Sequence, residues 1–387
     1  MKILQTLDCY YPKFDGPTNV ITNYSKSLQK VKHADVDVFV PRFPNYTDNQ
    51  PFRVFRVKSI PTADGYYQGT PGLDKKLKKT LKENKYEIIH LHSPFTMGRF
   101  FANYGKKHNI PTIFSFHTKF KEDFERILHL KPLVNFMMHY MMKTINTCDY
   151  VLTVSQGAAE ELRSYGYKKE ITVITNGTDL VYPENAAELI GKVDEKHALS
   201  GQKNVFLSVG RIVENKRIDL VLNALKIVKE RGYDFRFLIV GDGSYKEKLE
   251  SNVRRLDLED KVIFTGKIMD RALLSGYYLR SDLFMFPSTF DTASLAPIEA
   301  AALKLPSLMT RGCSTAEIIT ENRNGFLADD NVQSWADTIC RIVDDKELLA
   351  AAKENCYKEV YRTWDDVCEE VYAFYEKAIR EKKNAKK

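Results

Sequence analysis

Short runs rich in Val, Ile and Phe alternate with helix-spaced segments along the whole chain, and this alternation constrains the fold most. In the first half the runs are KILQTL (2–7), VDVFV (36–40), FRVFRV (52–57), YEIIHLH (86–92), TIFSFH (112–117), YVLTVS (150–155) and ITVIT (171–175). In the second half they are NVFLSVG (204–210), FRFLIVG (235–241), KVIFTG (261–266), DLFMFPS (282–288) and PSLMT (306–310). Segments between them, such as DLVLNALKIVKERG (219–232), repeat apolar residues at i, i+3, i+4 and i+7, the spacing of an amphipathic helix. Continuously apolar strands between helices belong to parallel sheets covered on both faces.

Two such series predict two Rossmann-like α/β domains, residues 1–180 and 181–363, with a hinge at VITNGTDLVYPENAAE (173–188). The 387 residues, 43% of them hydrophobic, suffice for two cores. A closing helix is expected over 364–387, with Val367, Val371, Phe374 and Ala378 on one face. Open parallel sheets bind ligands beyond the carboxyl ends of their strands. Two facing domains would enclose a cleft, and the strand-end loops are where chemistry is expected.

The six cysteines are scattered, with no C-x-x-C pair and no nearby His cluster, as in a reducing compartment without a zinc site. The start, MKILQTLDCYY, lacks a secretory apolar core. The longest apolar run, LVNFMMHYMM (133–142), is about half the ~20 residues a spanning helix needs. A cytoplasmic protein, soluble or peripheral on the inner face of a membrane, is expected. The net charge of +7 is uneven: +9 over residues 1–180, −6 over 181–375 and +4 over the last twelve. A basic first half suits an anionic surface or substrate.

Three loops of the second half carry candidate chemistry. In SVGRIVENKRIDL, Gly210 ends a strand, Arg211 follows, and Lys216 precedes a helix start. Two cations beside helix-start N–H groups suit a diphosphate, although surface loops carry basic residues too. In LIVGDGSYKEKLE, Gly241 and Gly243 would let the backbone approach a ligand; without a third glycine or a later ribose-binding acid, a dinucleotide fingerprint is absent. KVIFTGKI (261–268) ends at a glycine turn, and its backbone at Lys267 and Ile268 could wall a nucleobase. In PSTFDTASLAPIEAAALKLP, Asp291 and Glu299 stand eight residues apart. A helix entered after Asp291 would offer the amides of Ser294 and Leu295 to an anion. Glu299, one to two turns on, and Asp291 could then accept from sugar hydroxyls. An N-cap Asp followed by a buried Glu would leave the same residues.

Across the cleft, Gly16 lies between a strand and a helix, and His117 ends the strand TIFSFH. His90 and His92 share a strand face, but no third ligand accompanies them, so no metal is assigned. Asp35 and Asp37 read as a polar turn.

Together the Gly16 loop, His117, NGTD (176–179), GRIVENK, VGDG (240–243) and the acid pair Asp291/Glu299 resemble the retaining glycosyltransferases of family four. The resemblance covers nearly the whole chain. It implies the GT-B fold, with the C-terminal helix returning to the N-terminal domain, and metal-independent hexosyl transfer from a nucleotide sugar, a UDP-sugar in this reading. No cofactor is implied, the nucleotide sugar being a co-substrate. Arg211 and Lys216 would neutralise the diphosphate, Glu299 would hold the ribose and Asp291 the donor sugar, and His117 would lie near the reacting sugar. Gly210, Gly243, Ser294 and Leu295 would supply backbone contacts. The chain departs from the family in having Asp291 for Glu, Thr292-Ala293 for Phe-Gly, Lys304 for Gly and Asp15-Gly16 for paired glycines. These departures bear on the donor sugar more than on the fold.

For the acceptor, residues 118–147 interleave basic, aromatic and Met residues, with Leu133, Phe136, Met137, Tyr140 and Met141 on one helical face, and residues 71–85 add six lysines. Such segments suit anionic lipid, although the same residues could pack inside and be solvated. HSPF and FHT are similar to members acting on diacylglycerol-type lipids, and polysaccharide acceptors stay equally open. The rival readings are a non-catalytic GT-B subunit that binds a partner protein, and a sugar-nucleotide epimerase. No nucleic-acid partner is expected.

Overall fold

Strand β1 (Lys2–Thr6) buries every residue after Lys2, as the central strand of a doubly covered sheet must. The computed structural model describes residues 1–13, 15–62 and 65–385. It divides into two units, Met1–Asn176 with Trp364–Lys387, and Gly177–Thr363.

In the first unit, α1 (Gly16–Lys32) leads from β1 to β2 (Asp35–Pro41) and then to β3 (Arg53–Val57). A small antiparallel pair, β4 (Ser59–Pro61) with β5 (Tyr67–Gly69), lies outside the expected strands. Then come α2 (Lys75–Glu83), β6 (Ile88–Leu91), α3 (Thr96–His108), β7 (Thr112–Phe116), α4 (Phe120–Leu128), α5 (Lys131–Thr147), β8 (Tyr150–Thr153), α6 (Gln156–Ser164) and β9 (Thr172–Val173). The sheet order is β3-β2-β1-β6-β7-β8-β9, and every pairing is parallel. The order reverses between β1 and β6, so Asp8 and Ser93, just past those strands, flank the switch point where such sheets bind ligands.

The second unit runs α7 (Ala186–His197), β10 (Val205–Val209), α8 (Ile218–Glu230), β11 (Arg236–Val240), α9 (Lys246–Arg255), β12 (Val262–Gly266), α10 (Arg271–Arg280), β13 (Leu283–Phe286), α11 (Ala296–Ala302), β14 (Ser307–Thr310), β15 (Phe326–Ala328), α12 (Val332–Asp344) and α13 (Lys346–Glu359). Its parallel order is β12-β11-β10-β13-β14-β15, with the switch point between β10 and β13. One face of this sheet buries Phe206, Phe237, Ile239, Met285 and Trp335, and the other buries Leu207, Leu238, Phe284 and Met309.

The last helix, α14 (Trp364–Asn384), belongs to the first unit. Trp364 meets Tyr24 edge-on at 5.7 Å, and the Tyr375 hydroxyl lies 2.5 Å from His90 Nδ1. Its inward stripe is Val367, Val371, Tyr375 and Ala378. Phe374, expected on that stripe, is only half-buried and rests edge-on against Tyr150, because successive i+4 steps from Val367 reach 375 rather than 374.

Two other expectations need correction. Asp35 and Asp37 are not a turn but open β2; Asp37 is fully buried and accepts from Arg53 Nε at 2.7 Å and the Tyr86 hydroxyl at 2.6 Å. The stripe on α5 also splits. Met141 is fully buried, whereas Leu133 and Phe136 are 41% and 61% exposed, and Tyr140 packs under the Arg99 guanidinium. Lys304 sits at φ +57°, a left-handed conformation suited to glycine, and its ammonium pairs with Glu354 at 2.8 Å.

Candidate functional site

The carboxyl end of β10 holds the cationic loop. Gly210 donates to Val240 O at 3.0 Å, and Ile212 to Asp242 O at 2.9 Å, so this loop and the VGDG loop lie backbone to backbone. A Cβ on Gly241 would stand 1.8 Å from Gly210 O, and one on Gly243 would stand 2.3 Å from Ile212 O. These glycines therefore serve the neighbouring loop. The close approach expected toward a ligand is made to protein backbone instead.

A 3-10 turn (Glu214–Lys216) and Arg217, at φ +55°, lead into α8 and turn Lys216 toward the end of β13. Lys216 Nζ lies 2.7 Å from both carboxylate oxygens of Asp291, and the Ser288 hydroxyl donates to Asp291 Oδ2 at 2.5 Å. The Lys216 and Asp291 side chains are 20% and 21% exposed, so the pair is partly desolvated. Gly210, Arg211, Lys216, Phe286 and Ser288 line a narrow crevice here, at the sheet's switch point. Arg211 is exposed and has no hydrogen-bond or ion-pair partner for its guanidinium among the described residues. Asp291, expected to accept from a sugar hydroxyl, has its carboxylate held by Lys216 and Ser288. Ser288, which holds the carboxylate in place, carried no sequence signal beyond its position at a strand end.

Helix α11 begins only at Ala296, so Ser294 and Leu295 precede it and Glu299 lies in its first turn rather than one to two turns on. The Glu299 side chain is 11% exposed. Its Oε1 accepts from Arg271 Nη1 at 3.0 Å and its Oε2 from the Tyr278 hydroxyl at 3.0 Å. A carboxylate has about four acceptor sites, so one donor per oxygen leaves capacity for hydroxyls. Arg271 also pairs with Asp179 of the NGTD turn. Burial works against the Arg271 charge, but Glu299 and Asp179 outweigh it and raise its pKa. Burial, then the Glu299 charge, pushes the Tyr278 phenol well up. Arg271 and Tyr278 escaped the sequence reading because only the fold brings these α10 side chains to Glu299. Lys267 is exposed and Ile268 half-buried, just after Gly266 at φ +76°.

In the first unit, Gly16 starts α1 behind the N-cap Asp15, which accepts from Thr18 N at 2.8 Å. An added Cβ at Gly16 would meet nothing within 4 Å. The neighbouring Phe14 lies outside the described residues. His117 follows β7, and its Nε2 lies 3.1 Å from His92 Nδ1, with the two rings stacked at 5.4 Å. His92 Nε2 meets Gln5 Oε1 at 2.9 Å, and His90 Nε2 meets the Ser115 hydroxyl at 2.6 Å. Burial lowers all three histidines: His90 to about 3, His117 to about 4, and His92 well below the usual range, with neighbouring imidazoles adding to the effect on His90 and His92. Among the described residues no group of three or more His, Cys, Asp or Glu side chains is placed to hold a metal ion. Asp8, unremarked in the sequence, accepts from Ser93 Oγ at 2.5 Å, Thr96 Oγ1 at 3.0 Å and Met97 N at 2.8 Å, and so tethers the start of α3 to the end of β1.

Residues 14–182 match the family described as Glycosyltransferase Family 4, and residues 190–359 that described as Glycosyl transferases group 1. The chain is 28% identical over 337 residues to an alpha-monoglucosyldiacylglycerol synthase of Streptococcus pneumoniae, covering 84% of this chain and 75% of that protein. It is 26% identical to a GDP-mannose-dependent alpha-mannosyltransferase of Corynebacterium glutamicum, covering 98% of this chain and 89% of that protein. Among solved structures, HepE of Anabaena in complex with UDP superposes with a TM-score of 0.77 at 18% identity, covering 97% of this chain and all of that one.

Proposed function

Because the chain belongs to the family-four glycosyltransferases of GT-B fold, we propose that it transfers a hexose, with retention, from a UDP-sugar to a hydroxyl of a lipid or glycan. The observation that carries this reading is the Arg211–Lys216–Asp291–Ser288 cluster at the switch point of the second sheet. Two cations there suit the two phosphates of a sugar nucleotide. Glu299, aligned by Arg271 and Tyr278, has the acceptor sites that vicinal ribose hydroxyls require. The amides near Ser294 and Leu295 and the backbone at Gly210, Lys267 and Ile268 would complete the contacts.

In the reaction the bond from the anomeric carbon to the phosphate oxygen breaks, and a bond to the acceptor oxygen forms on the same face. The acceptor proton passes to the leaving phosphate. Negative charge grows on that phosphate, so Arg211 and Lys216 act more strongly on the transition state than on the bound donor. His117, neutral at physiological pH, would meet the donor sugar.

A thermal-shift comparison of UDP-glucose, UDP-galactose and GDP-mannose tests the donor. At 100-fold over Kd a ligand adds about 2.7 kcal/mol of apparent stability, and a rise with a UDP-sugar is expected. A rise with GDP-mannose alone, the donor named for the Corynebacterium relative, would replace the UDP assignment.

The lipid acceptor is supported by a patch at the α4–α5 junction, where Ile127, Leu130, Leu133 and Phe136 are 65%, 63%, 41% and 61% exposed beside exposed Lys121, Arg126 and Lys131. The six lysines of residues 75–85 are exposed as well. Apolar side chains within a basic surround suit an anionic bilayer. No described helix is long and apolar enough to cross one. Flotation with phosphatidylglycerol vesicles at low salt is expected, with loss on Ile127→Ser/Phe136→Ser. Equal recovery of both proteins would remove the membrane assignment.

A further inference from the structure

Glu299 and Asp291 differ in how many acceptor positions the protein leaves them. A carboxylate has about four lone-pair sites. Glu299 spends two, one on Arg271 and one on the Tyr278 hydroxyl, each at 3.0 Å and on different oxygens. One site stays open on each oxygen, the arrangement that two neighbouring hydroxyls need. Asp291 spends three. Lys216 Nζ stands 2.7 Å from both Oδ1 and Oδ2, and the Ser288 hydroxyl lies 2.5 Å from Oδ2. Among the described residues no further donor reaches either carboxylate, so Asp291 keeps one open site, on Oδ1.

The count depends on where Ser288 sends its one proton. Two acceptors lie in reach, Asp291 Oδ2 at 2.5 Å and Asn215 O at 3.3 Å. A hydroxyl bond to an ionised carboxylate is shorter and stronger than one to a neutral carbonyl. With the proton on Asn215 O instead, lone pairs of Ser288 and Asp291 would face each other at 2.5 Å. Ser288 is 1% exposed, so bulk solvent offers no relief from that contact, and the proton lies toward Asp291. The backbone is pinned as well: Thr315 Oγ1 donates to Asp291 O at 3.1 Å and Thr310 Oγ1 to Pro287 O at 3.0 Å. The open site on Oδ1 is thus fixed in direction before a ligand arrives.

We propose that Ser288 is a positioning residue that sets donor specificity: by filling the second site on Asp291 Oδ2, it leaves this carboxylate able to receive one hydroxyl of the donor hexose and not two adjacent ones. The hexose rests on the proposed function; the count of sites does not. A carboxylate that receives one hydroxyl reads the configuration at one ring carbon. Epimers at the neighbouring carbons are therefore not told apart at Asp291. The vicinal hydroxyls of a pentose go to Glu299 for the complementary reason.

The test measures Kd by calorimetry for UDP-glucose and its 2-, 3-, 4- and 6-deoxy forms, on the full chain and on Asp291→Ala. In the parent, one deoxy donor is expected to bind ~10–100-fold more weakly, the scale of a hydrogen bond to a charged group, and in Asp291→Ala that loss is expected to shrink to within about twofold. The other three are expected to keep the same ratio to UDP-glucose in both proteins. Two positions whose loss depends on Asp291 would overturn the proposal, and so would none. Ser288→Ala opens the second site on Oδ2, and a second deoxy position, on a carbon next to the first, is expected to become sensitive. Ser288→Cys, a weak donor of similar size, takes its place if Ser288→Ala fails to fold, with the same second position expected. A pattern identical to the parent's in the folded variant would overturn the role of Ser288. A parent that binds neither UDP nor UDP-glucose would fault the donor reading itself, and the proposal would fall with it.

Discussion

Lys216→Ala is expected to lower kcat by about 10²–10³-fold, the range measured when one preorganised charge-stabilising donor is removed, while the circular dichroism spectrum and the melting temperature of the second unit stay close to those of the parent. The Lys216 side chain is 20% exposed and its one carboxylate partner is Asp291, so the cost in stability is that of a partly screened ion pair, about 1 kcal/mol or less. Removing the lysine also leaves Asp291 uncompensated in the crevice, where it would repel a diphosphate. Lys216→Ala/Asp291→Asn separates the two effects. If the double variant recovers donor affinity but not kcat, the lysine acts on the departing phosphate. If it recovers both, Lys216 served only to neutralise Asp291. Unchanged turnover in the single variant would remove the diphosphate from this loop altogether.

Acid is expected to unfold the first unit well before the second. A histidine whose folded pKa is depressed contributes stability above its unfolded pKa, near 6.5, and that stability is lost as pH falls toward the folded value. For His117, lowered to about 4, the loss between pH 7 and pH 4 is about 3 kcal/mol. His90, lowered to about 3, and His92 act in the same direction. Asp8, raised by burial against its hydrogen bonds, acts in the opposite sense. For a unit of this size the His117 contribution alone corresponds to about 6–12 °C in melting temperature. The chain has two tryptophans, and each reports one unit: Trp364 packs on Tyr24 in the first, and Trp335 is buried in the second. Melts of Trp335→Phe and Trp364→Phe followed by fluorescence at pH 7.5, 5.5 and 4.5 would therefore read the units separately. Parallel acid shifts in the two variants would mean that the histidines are solvated rather than buried.

Each run of β-branched and aromatic residues singled out in the sequence is a strand, because a buried parallel strand must be apolar on both faces and no other local arrangement uses so many such residues. β15 and the β4–β5 pair went unseen: three residues apiece are too few for a period to register. The cationic loop, the acid pair and the strand-end histidines were all legible as residue types in order. Their partners were not. The i+4 steps from Val367 place Tyr375 on the inward face of α14, but only the fold shows that it meets His90 there.

By itself the sequence determined the strands, the amphipathic helices and the succession of loops, since each follows from side-chain periodicity and backbone preference over a few neighbours. Tertiary structure alone decided that Gly241 and Gly243 pack on a neighbouring loop, that Asp291 answers Lys216, and that Arg271 and Tyr278 grip Glu299. Those pairings join residues 21–75 positions apart at distances near 3 Å. Hydrogen bonds and close packing depend on such distances, and local sequence carries no measure of them.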